Sequence, residues 1–339
     1  IENFVGTVKL PVGIAGPLRV NGLFAQGDYY VPLATTEAAL VASYSRGAQI
    51  ISRAGGCSTL VLSEAVMRAP GFAFTNLQQA GAFVAWAVPQ LEQFKTVAAT
   101  TTRHGELIDM QVTVEGNHVY LRFDFHTGDA AGQNMVTIAT QAICDYIQEN
   151  APVTPSYCFL EANMSGDKKA SAQSFLSVRG KKVTAEVRLP RELVKGLLHT
   201  TPERMVDYWR MSAMGGVLSG TIGVQGHYAN GLAALYIACG QDAACVAESA
   251  VGVTRFELTA AADLYACVTL PNLIVGTVGG GTGLPSQRAA LELLGLAGAD
   301  HARALAEVAA GITLAGELSI IGALCAGHFA RAHQQLARG

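Results

Sequence analysis

The chain has 339 residues, of which 50% are hydrophobic and 14% are charged, and its formal net charge is −3. This length suits one large domain or two ordinary ones, with a sizeable core and apolar surface left to bury in an oligomer. The weak negative charge gives no basic surface, so we expect no nucleic-acid partner. The seven cysteines are scattered and form no CxxC pair. This pattern predicts a cytoplasmic protein with free thiols, without disulfides and without a metal site.

Residues 211–241 contain no Asp, Glu, Lys or Arg, which raises the question of a membrane span. The segment nevertheless carries Gln225, His227 and Asn230, which a lipid-facing helix would avoid. Its many glycines allow backbones to approach closely. We therefore interpret it as a buried, glycine-rich, mostly helical segment without membrane contact, and a membrane span is the alternative.

The chain begins with turns and short strands punctuated by glycine and proline. Thr35 and Thr36 then precede the apolar run 38–47, and a threonine before such a run is typical of a helix start. Glu37 is therefore predicted in the first helical turn, where the helix dipole favours a carboxylate. The alternative to a functional role is a charge that only stabilises this turn.

A second group of elements fills residues 58–162. The pattern predicts, in order, a strand, a helix, two strands joined by a Glu-Gly-Asn turn, a helix and a strand, over 59–62, 76–99, 106–114, 118–125, 130–149 and 156–160. Pro89 should distort the first of these helices. The β-α-β-β-α-β order is that of a ferredoxin-like fold and predicts a compact inserted domain.

Two features of this insert suit a nucleotide. Its second helix starts in the glycine-rich turn 127–134, whose backbone N–H groups could seat a phosphate. The turn is neither GxGxxG nor a P-loop, so by itself it is a weak indication. Thr102 and Arg103 precede the hairpin, where the arginine could meet a 2′-phosphate or simply face water.

The loop 161–170 concentrates polar groups in a chain with few charges. The loop follows a strand-like run and contains Asn163, Asp167, Lys168 and Lys169. Two lysines beside an aspartate suit an anionic substrate and a developing oxyanion. The alternative is a polar connection whose charges face water.

After residue 170 the sequence predicts strands over 182–188, 253–259 and 264–270, with helices between and after them. Asp242 lies at the start of one helix. The glycine turn 276–283 matches no dinucleotide or Walker pattern and is equally suited to close backbone packing. From 301 the chain is predicted to be helical, and a histidine there is either a surface residue or a mobile acid that arrives with substrate.

Motifs spread over the whole chain occur together in one known family. They are ENFVG at 2–6, PVGIAGPL at 11–18, ATTE at 34–37, GDAAGQNM at 128–135, DKK at 167–169, YIACGQDA at 236–243, GTVGGGT at 276–282, AGELS at 315–319 and AGH at 326–328, followed by His333. Together they closely resemble the catalytic domain of the class I hydroxymethylglutaryl-CoA (HMG-CoA) reductase family.

The resemblance implies an α/β (α+β) fold, in which a large mixed domain with a long buried helix carries an inserted ferredoxin-like (βαββαβ) cofactor domain. It implies that 1–69 and 161–339 form the large substrate- and CoA-binding domain, that 320–339 form a mobile C-terminal helix, and that 70–160 form a small NADP-binding domain. It also implies self-association as a homodimer, or a higher assembly, with active sites between subunits.

The reaction that the resemblance implies is the reduction of HMG-CoA to mevalonate and CoA by two NADPH, through two hydride transfers and a mevaldehyde-level intermediate. Lys168 matches the family's catalytic lysine, which stabilises the oxyanion. Glu37 matches the glutamate that donates a proton to the reacting oxygen and therefore requires a buried site. Asp242 matches the aspartate coupled to both, and His333 matches the histidine that protonates the CoA thiolate.

The resemblance also implies binding residues, and no metal ligand. Those for the substrate are Arg68, Asn163, Asp167, Lys169, His227 and Asn230, and the basic ones suit its free carboxylate. Those for CoA are Ser43 and Arg46. Those for NADPH are Thr102, Arg103, Asp129, Ala130, Gly132, Asn134 and Met135.

Several residues depart from the family pattern. Glu161 replaces a small serine near the substrate carboxylate, which it would repel unless it points away. The other departures are Met211 for a substrate-site lysine, Gln49 and His199 for basic residues near CoA, and Ala131 and Gln133 for methionines in the cofactor turn. Two alternatives to HMG-CoA reduction remain: the same site used oxidatively on mevalonate, and a non-catalytic CoA-binding or scaffold protein.

Overall fold

The computed structural model of the chain describes residues 2–327. The strands are β1 Val12–Asn21, β2 Gln26–Ala34, β3 Cys57–Arg68, β4 Gly71–Ala73, β5 Glu106–Glu115, β6 His118–His126, β7 Tyr157–Phe159, β8 Gly180–Leu189, β9 Gly223–Val224, β10 Gly252–Leu258 and β11 Leu264–Leu273. The helices are α1 Leu40–Arg53, α2 Leu77–Ala87, α3 Leu91–Ala99, α4 Gln133–Asn150, α5 Arg191–Leu198, α6 Pro202–Ser219, α7 Tyr228–Ala238, α8 Val246–Ser249, α9 Pro285–Leu293 and α10 Ala302–Cys325.

Strand β3 is shared by two sheets. Its first part pairs with β1 and β8 in the larger sheet, which continues through β11 and β10 to the short β9. Its last residues, Val66 to Arg68, pair with β6 in the smaller sheet. Because one strand runs through both sheets, Arg68 at its end lies where the two sheets meet.

The smaller sheet has the order β7-β4-β6-β5, and all its neighbouring strands are antiparallel. From β4 to β7 the elements follow a β-α-β-β-α-β order, and a 3₁₀ turn containing Pro89 separates α2 from α3. Residues 59–62 form a strand, as predicted, but their place as the first strand of the insert was wrong, because they belong to β3 in the larger sheet and the short β4 takes that place. Three residues carry too little alternation to be recognised as a strand.

The smaller sheet has a hydrophobic core of its own. Phe72 on β4 packs against Phe83 on α2, and Phe94 on α3 packs edge-on against Phe123 on β6. All the buried residues of this core fall between Val66 and Ile147. The larger core is separate and takes its residues from the rest of the chain.

Helix α10 is the centre of the larger core and contacts α1, α7, β8 and β11. Among residues 2–327 it is the one helix long and apolar enough to cross a membrane, yet 89% of its apolar stretch is buried inside the fold. It is therefore a core helix. The predicted boundary at 320 was wrong, because 320–325 complete α10. Residues 328–339, including His333, lie outside the described residues.

The segment 211–241 is not one buried helix. It comprises the end of α6, the short β9 and α7. Helix α7 is buried, as predicted, but the last turns of α6 expose Met211, Val217 and Leu218 by 77%, 74% and 81%. The prediction of burial was wrong for α6, because an apolar composition does not distinguish a core face from an apolar surface patch.

Helix α1 starts later than the sequence predicts. Its first residue is Leu40, and Ala39 before it has a left-handed backbone with a φ of 68°. Glu37 therefore lies in the preceding turn, where its backbone N–H donates to Thr35 Oγ1 at 2.9 Å. The prediction that Glu37 lies in the first helical turn was wrong, so the helix dipole does not explain its position.

Candidate active site

Three glycine-containing turns surround a cleft of about 420 Å³. The first leads into α4, the second follows α7 and the third follows β11, and the lining comprises 130–135, 240–242, Gly276, 278–282 and Lys168. An added side chain at Gly132 would overlap Thr127, and one at Gly240 would overlap the backbone of Gly281. The glycine turns therefore both pack closely and leave space for a ligand.

The N-terminus of α4 opens on this cleft. Its N-cap is Gly132, with a φ of 76° and no capping side chain. The first N–H groups of the helix therefore have no side-chain acceptor at the cap, and a helix end of this kind favours an anion. Four residues predicted to bind the cofactor line the cleft: Ala130, Gly132, Asn134 and Met135.

Lys168 and Asp242 form an ion pair at the cleft, with 2.9 Å between Nζ and Oδ2. The hydrogen bond to Asp242 raises the pKa of Lys168. Burial alone would raise the pKa of Asp242, but the Lys168 ammonium and the backbone N–H of Ala244 outweigh it and lower this pKa. Both groups therefore stay ionised at neutral pH, and Lys168 presents a cation to the cleft.

Buried charges fix the backbone of the loop that carries Lys168. Arg179 lies 2.8 Å from Asp167 and 2.5 Å from Glu248, and its side chain is only 1% exposed. Glu248 also accepts the backbone N–H of Lys168 at 3.2 Å. Lys168 has a left-handed backbone with a φ of 55°, which a residue with a side chain adopts only when its surroundings impose it. This support directs the Lys168 side chain towards Asp242.

Arg68 lies beneath the same loop. Its Nη1 donates to Asp167 at 2.9 Å and to Glu161 at 3.2 Å, and its Nη2 donates to Thr137 on α4 at 2.9 Å. Glu161 therefore points towards the arginine that is predicted to bind the substrate carboxylate. The structure brings together Arg68 and Asp167, both predicted to bind the substrate, and Glu161 contacts the same guanidinium.

Two further substrate-binding candidates lie on the exposed side of this loop. Asn163 has a φ of 65° and an exposed side chain. Lys169 is also exposed, and its Nζ donates to the backbone carbonyl of Asp167 at 2.8 Å. Both are accessible to a ligand that enters over the loop.

The other predicted residues form a second group at the start of α7. Asn230 Nδ2 donates to Glu37 at 3.3 Å. His227 Nδ1 lies 3.3 Å from the buried carboxylate of Glu317 on α10, which also accepts the His227 backbone N–H at 2.9 Å. The hydrogen bonds of Glu317 thus fix both the ring and the backbone of His227.

The two groups lie at opposite ends of α7. This helix has 11 residues, and at about 1.5 Å per residue its ends are roughly 16 Å apart. Glu37 is at the first end and Asp242 follows the last. Among residues 2–327 no hydrogen bond or ion pair joins Glu37 to Lys168 or Asp242. Glu37 is also exposed, whereas the role implied for it requires a buried site.

The residues predicted to contact CoA pack on α10. Ser43 Oγ lies 2.8 Å from Ser319 Oγ, and Arg46 Nε donates to the same oxygen at 3.0 Å. Ser319 is fully buried, so these contacts join α1 to the core helix. The structure brings Ser43 and Arg46 together on one face of α1, one turn apart.

The loop with Thr102 and Arg103 lies beside the cofactor turn. An added side chain at Gly105 would reach both Thr102 and Met135. The Thr102 hydroxyl accepts the backbone N–H of Gly105 at 3.1 Å, and Arg103 is exposed. The two residues predicted to bind the cofactor through this loop are therefore next to the start of α4.

Asp129 faces α10, and it does not line the cleft. Its carboxylate accepts the backbone N–H of Asp300 at 2.8 Å and that of Ala302 at 3.0 Å, and its carbonyl accepts the N–H of Thr277 at 2.8 Å. Asp129 thus caps α10 and joins the start of this helix to two of the cleft turns.

Replacing Asp129 with alanine should lower the free energy of unfolding by about 1–2 kcal/mol, because α10 loses the acceptor of its first N–H groups. Chemical denaturation measures this change. Asp129→Asn keeps one oxygen acceptor and should lose less stability. An alanine variant as stable as the wild type would contradict the capping role.

The family model for hydroxymethylglutaryl-coenzyme A reductase matches residues 1–338. The chain belongs to this family. The HMG-CoA reductases of Pyrococcus abyssi and Aeropyrum pernix are 44% and 46% identical to it over 346 residues. These alignments cover 100% of this chain and 84% and 82% of those two proteins.

The fold is also that of solved HMG-CoA reductases. The class II enzyme of Streptococcus pneumoniae, bound to NADPH in open conformations, matches with a TM-score of 0.77 at 22% identity. The superposition covers 96% of this chain and 87% of that one. At this identity the match supports the mixed α/β fold alone.

Sequence reasoning missed several groups that position the site. Gln133 Nε2 lies 3.4 Å from Asp242 Oδ2 and 3.2 Å from Cys245 Sγ, which ties the start of α4 to the ion pair. Arg179 and Glu248 belong to no motif, because they meet only in the folded chain. A signal did exist for Glu317, which is one of two glutamates in the mostly apolar helix α10 and lies in the AGELS motif.

Proposed function

We propose that this chain reduces HMG-CoA to mevalonate and CoA with two NADPH, in two hydride transfers through a mevaldehyde-level intermediate. The observation that carries this function is the Lys168–Asp242 ion pair at a glycine-lined cleft, in a member of the HMG-CoA reductase family. A non-catalytic scaffold is not favoured, because both the ion pair and the cleft are intact.

Lys168 stabilises the negative charge that develops on the carbonyl oxygen of the substrate in each reduction. Asp242 holds the ammonium in its charged form. Because the loop backbone is fixed by Arg179 and Glu248, the cation is in position before the reaction and needs little reorganisation.

NADPH, when bound, supplies the hydride for both reductions. The cleft fits such a cofactor, because the uncapped start of α4 favours a phosphate and the glycine turns admit a ligand close to the backbone. Thr102 and Arg103 beside Met135 suit the 2′-phosphate that distinguishes NADPH from NADH. The residues that bind NADPH also include Ala130, Gly132 and Asn134. Asp129 supports this binding indirectly, because it joins the cofactor turn to the start of α10.

Proton transfer and substrate binding fall to the remaining residues. Glu37 donates a proton to the reacting oxygen, and His333 protonates the departing CoA thiolate. The HMG group is bound by Arg68, Asn163, Asp167, Lys169, His227 and Asn230, and CoA is bound by Ser43 and Arg46.

Two copies of the chain build each active site. This arrangement is supported by the separation of Glu37 from Lys168 and by the apolar surface of α6, formed by Met211, Met214, Val217 and Leu218. A second copy that covers this surface would also supply the burial that Glu37 lacks. Sedimentation velocity at micromolar concentration should therefore show a dimer or a larger assembly.

The chain is a cytoplasmic enzyme with an inserted cofactor domain. The separate core between Val66 and Ile147 supports an NADP-binding domain over 70–160 within a large domain formed by 1–69 and 161–339. The seven cysteines are unpaired, as a reducing compartment favours.

Absorbance at the reduced-nicotinamide band tests the function. Purified protein with HMG-CoA and NADPH should lose this absorbance, with about two cofactors oxidised per mevalonate formed, as expected for a reduction that ends at the alcohol. NADH should be a poorer donor, and omission of HMG-CoA is the control. A folded protein that oxidises neither cofactor would refute the proposal.

A further inference from the structure

The carboxylate of Glu161 lies in a socket of three hydrogen-bond donors. Arg68 Nη1 and Ser165 Oγ donate to Oε2 at 3.2 and 2.8 Å, and the backbone N–H of Asn163 donates to Oε1 at 2.8 Å. A guanidinium, a hydroxyl and a backbone N–H that converge on one carboxylate are what a binding site for an anionic ligand requires. In this chain a residue of the same loop fills that socket.

Of the two carboxylates that contact Arg68, Glu161 is the one that a ligand carboxylate can displace. Asp167 lies closer to Arg68, at 2.9 Å, and is also held by Arg179 at 2.8 Å. Glu161 lies at 3.2 Å, has no second cation among the described residues, and has a side chain that is 24% exposed. A rotation of Glu161 towards solvent would break one ion pair and leave the Asp167 contacts in place.

The occupied socket has a consequence for an incoming anion. The side chain of Arg68 is 8% exposed and already faces two carboxylates. A ligand carboxylate would meet a guanidinium whose charge is compensated, and like charges in close contact oppose each other. Such a ligand must therefore displace Glu161 or bind without Arg68.

We infer that Glu161 is a specificity-determining residue that competes with the terminal carboxylate of the substrate for the socket formed by Arg68, Ser165 and the Asn163 N–H. The inference rests on the proposed function, which provides a substrate with a free carboxylate. When HMG-CoA binds, Glu161 turns to solvent and its three donors pass to the substrate. The residue thus lowers the affinity for the acyl group and leaves the CoA contacts unchanged.

Kinetics of Glu161→Ser and Glu161→Gln test this competition. The serine variant should lower the KM for HMG-CoA and the inhibition constant of free 3-hydroxy-3-methylglutarate by about tenfold each. The reason is that the ligand no longer competes with one charge-assisted contact. The glutamine variant keeps the shape of the Glu161 side chain without its charge, and it should lower both the KM and this inhibition constant. The kcat should stay within about twofold, because Lys168 and Asp242 are untouched.

Free CoA and a distant variant are the controls. CoA lacks the terminal carboxylate, so its inhibition constant should not change. Glu149→Gln, an equal change of charge at an exposed residue of α4, should change neither KM nor kcat. Thermal melting identifies a serine variant that fails to fold, in which case the glutamine variant decides.

An unchanged or higher KM in the folded Glu161 variants would overturn the inference. An equal change in the affinity for CoA would also overturn it, because it would indicate a general loosening of the site. If the wild type oxidises no NADPH with HMG-CoA, the proposed function fails. Calorimetric titration with 3-hydroxy-3-methylglutarate then decides separately whether Glu161→Ser binds the diacid more tightly than the wild type does.

Discussion

Replacing Lys168 with alanine should lower kcat for HMG-CoA-dependent NADPH oxidation by about a thousandfold, the effect of removing one preorganised stabiliser of a developing oxyanion. The structure gives the reason, because Asp242 keeps this ammonium charged and Arg179 and Glu248 fix the backbone that carries it. The loss should appear in kcat, since the cation acts on the charge that develops during the reaction.

The fold should survive this change. The Lys168 and Asp242 side chains are 43% and 38% exposed. Water therefore solvates Asp242 in the variant, and the loss of this ion pair has little effect on the free energy of unfolding. Lys95→Ala, which removes a lysine paired with Glu92 on α3, is the matched control and should keep full activity. A Lys168→Ala variant that retains more than about a tenth of the wild-type kcat would contradict the assigned role, because one such stabiliser accounts for a far larger factor.

The sequence predicted the elements with long, regular patterns. The hairpin of β5 and β6, the distortion at Pro89 and the helix after the glycine turn at 132 all lie where alternation, proline or glycine indicates them. These features are local, because each depends on a few neighbouring residues and on backbone geometry. The same local chemistry placed Lys168 on a polar loop and Asp242 at the start of a helix, and Asp242 is the N-cap of a short 3₁₀ helix over Ala243–Cys245.

What the sequence did not predict depends on contacts between distant segments. Glu37 was expected inside a helix that begins three residues later, because nothing local indicates the left-handed backbone at Ala39. Glu161 was expected to repel a substrate carboxylate or point away, and the structure instead pairs it with Arg68. That contact crosses 93 residues of sequence and exists only because β3 ends beneath the loop.

The separation of Glu37 from Lys168 predicts that the active site is shared between two chains. Each site would combine the Glu37 group of one chain with the Lys168–Asp242 pair of its partner. The variants Glu37→Gln and Lys168→Ala should each be inactive alone, and they should then restore each other in a mixed dimer. One of its two sites carries both changes and the other carries neither, so the mixed dimer should show roughly half of the wild-type kcat by symmetry.

Coexpression with two affinity tags and sequential purification isolates this mixed dimer, and NADPH oxidation measures its activity. The matched control is the mixed dimer of Lys168→Ala with Asp242→Asn. These two residues form one ion pair within a chain, 2.9 Å apart, so every site of that dimer keeps one change and should stay inactive. No activity in the Glu37–Lys168 combination would mean that one chain supplies all three groups. Activity in the control would mean that Lys168 and Asp242 of one site come from different chains, against the ion pair within one chain. The physical basis of the expected difference is helix α7, which is roughly 16 Å long at about 1.5 Å per residue. Glu37 contacts Asn230 in its first turn, whereas Asp242 follows its last residue in the same chain.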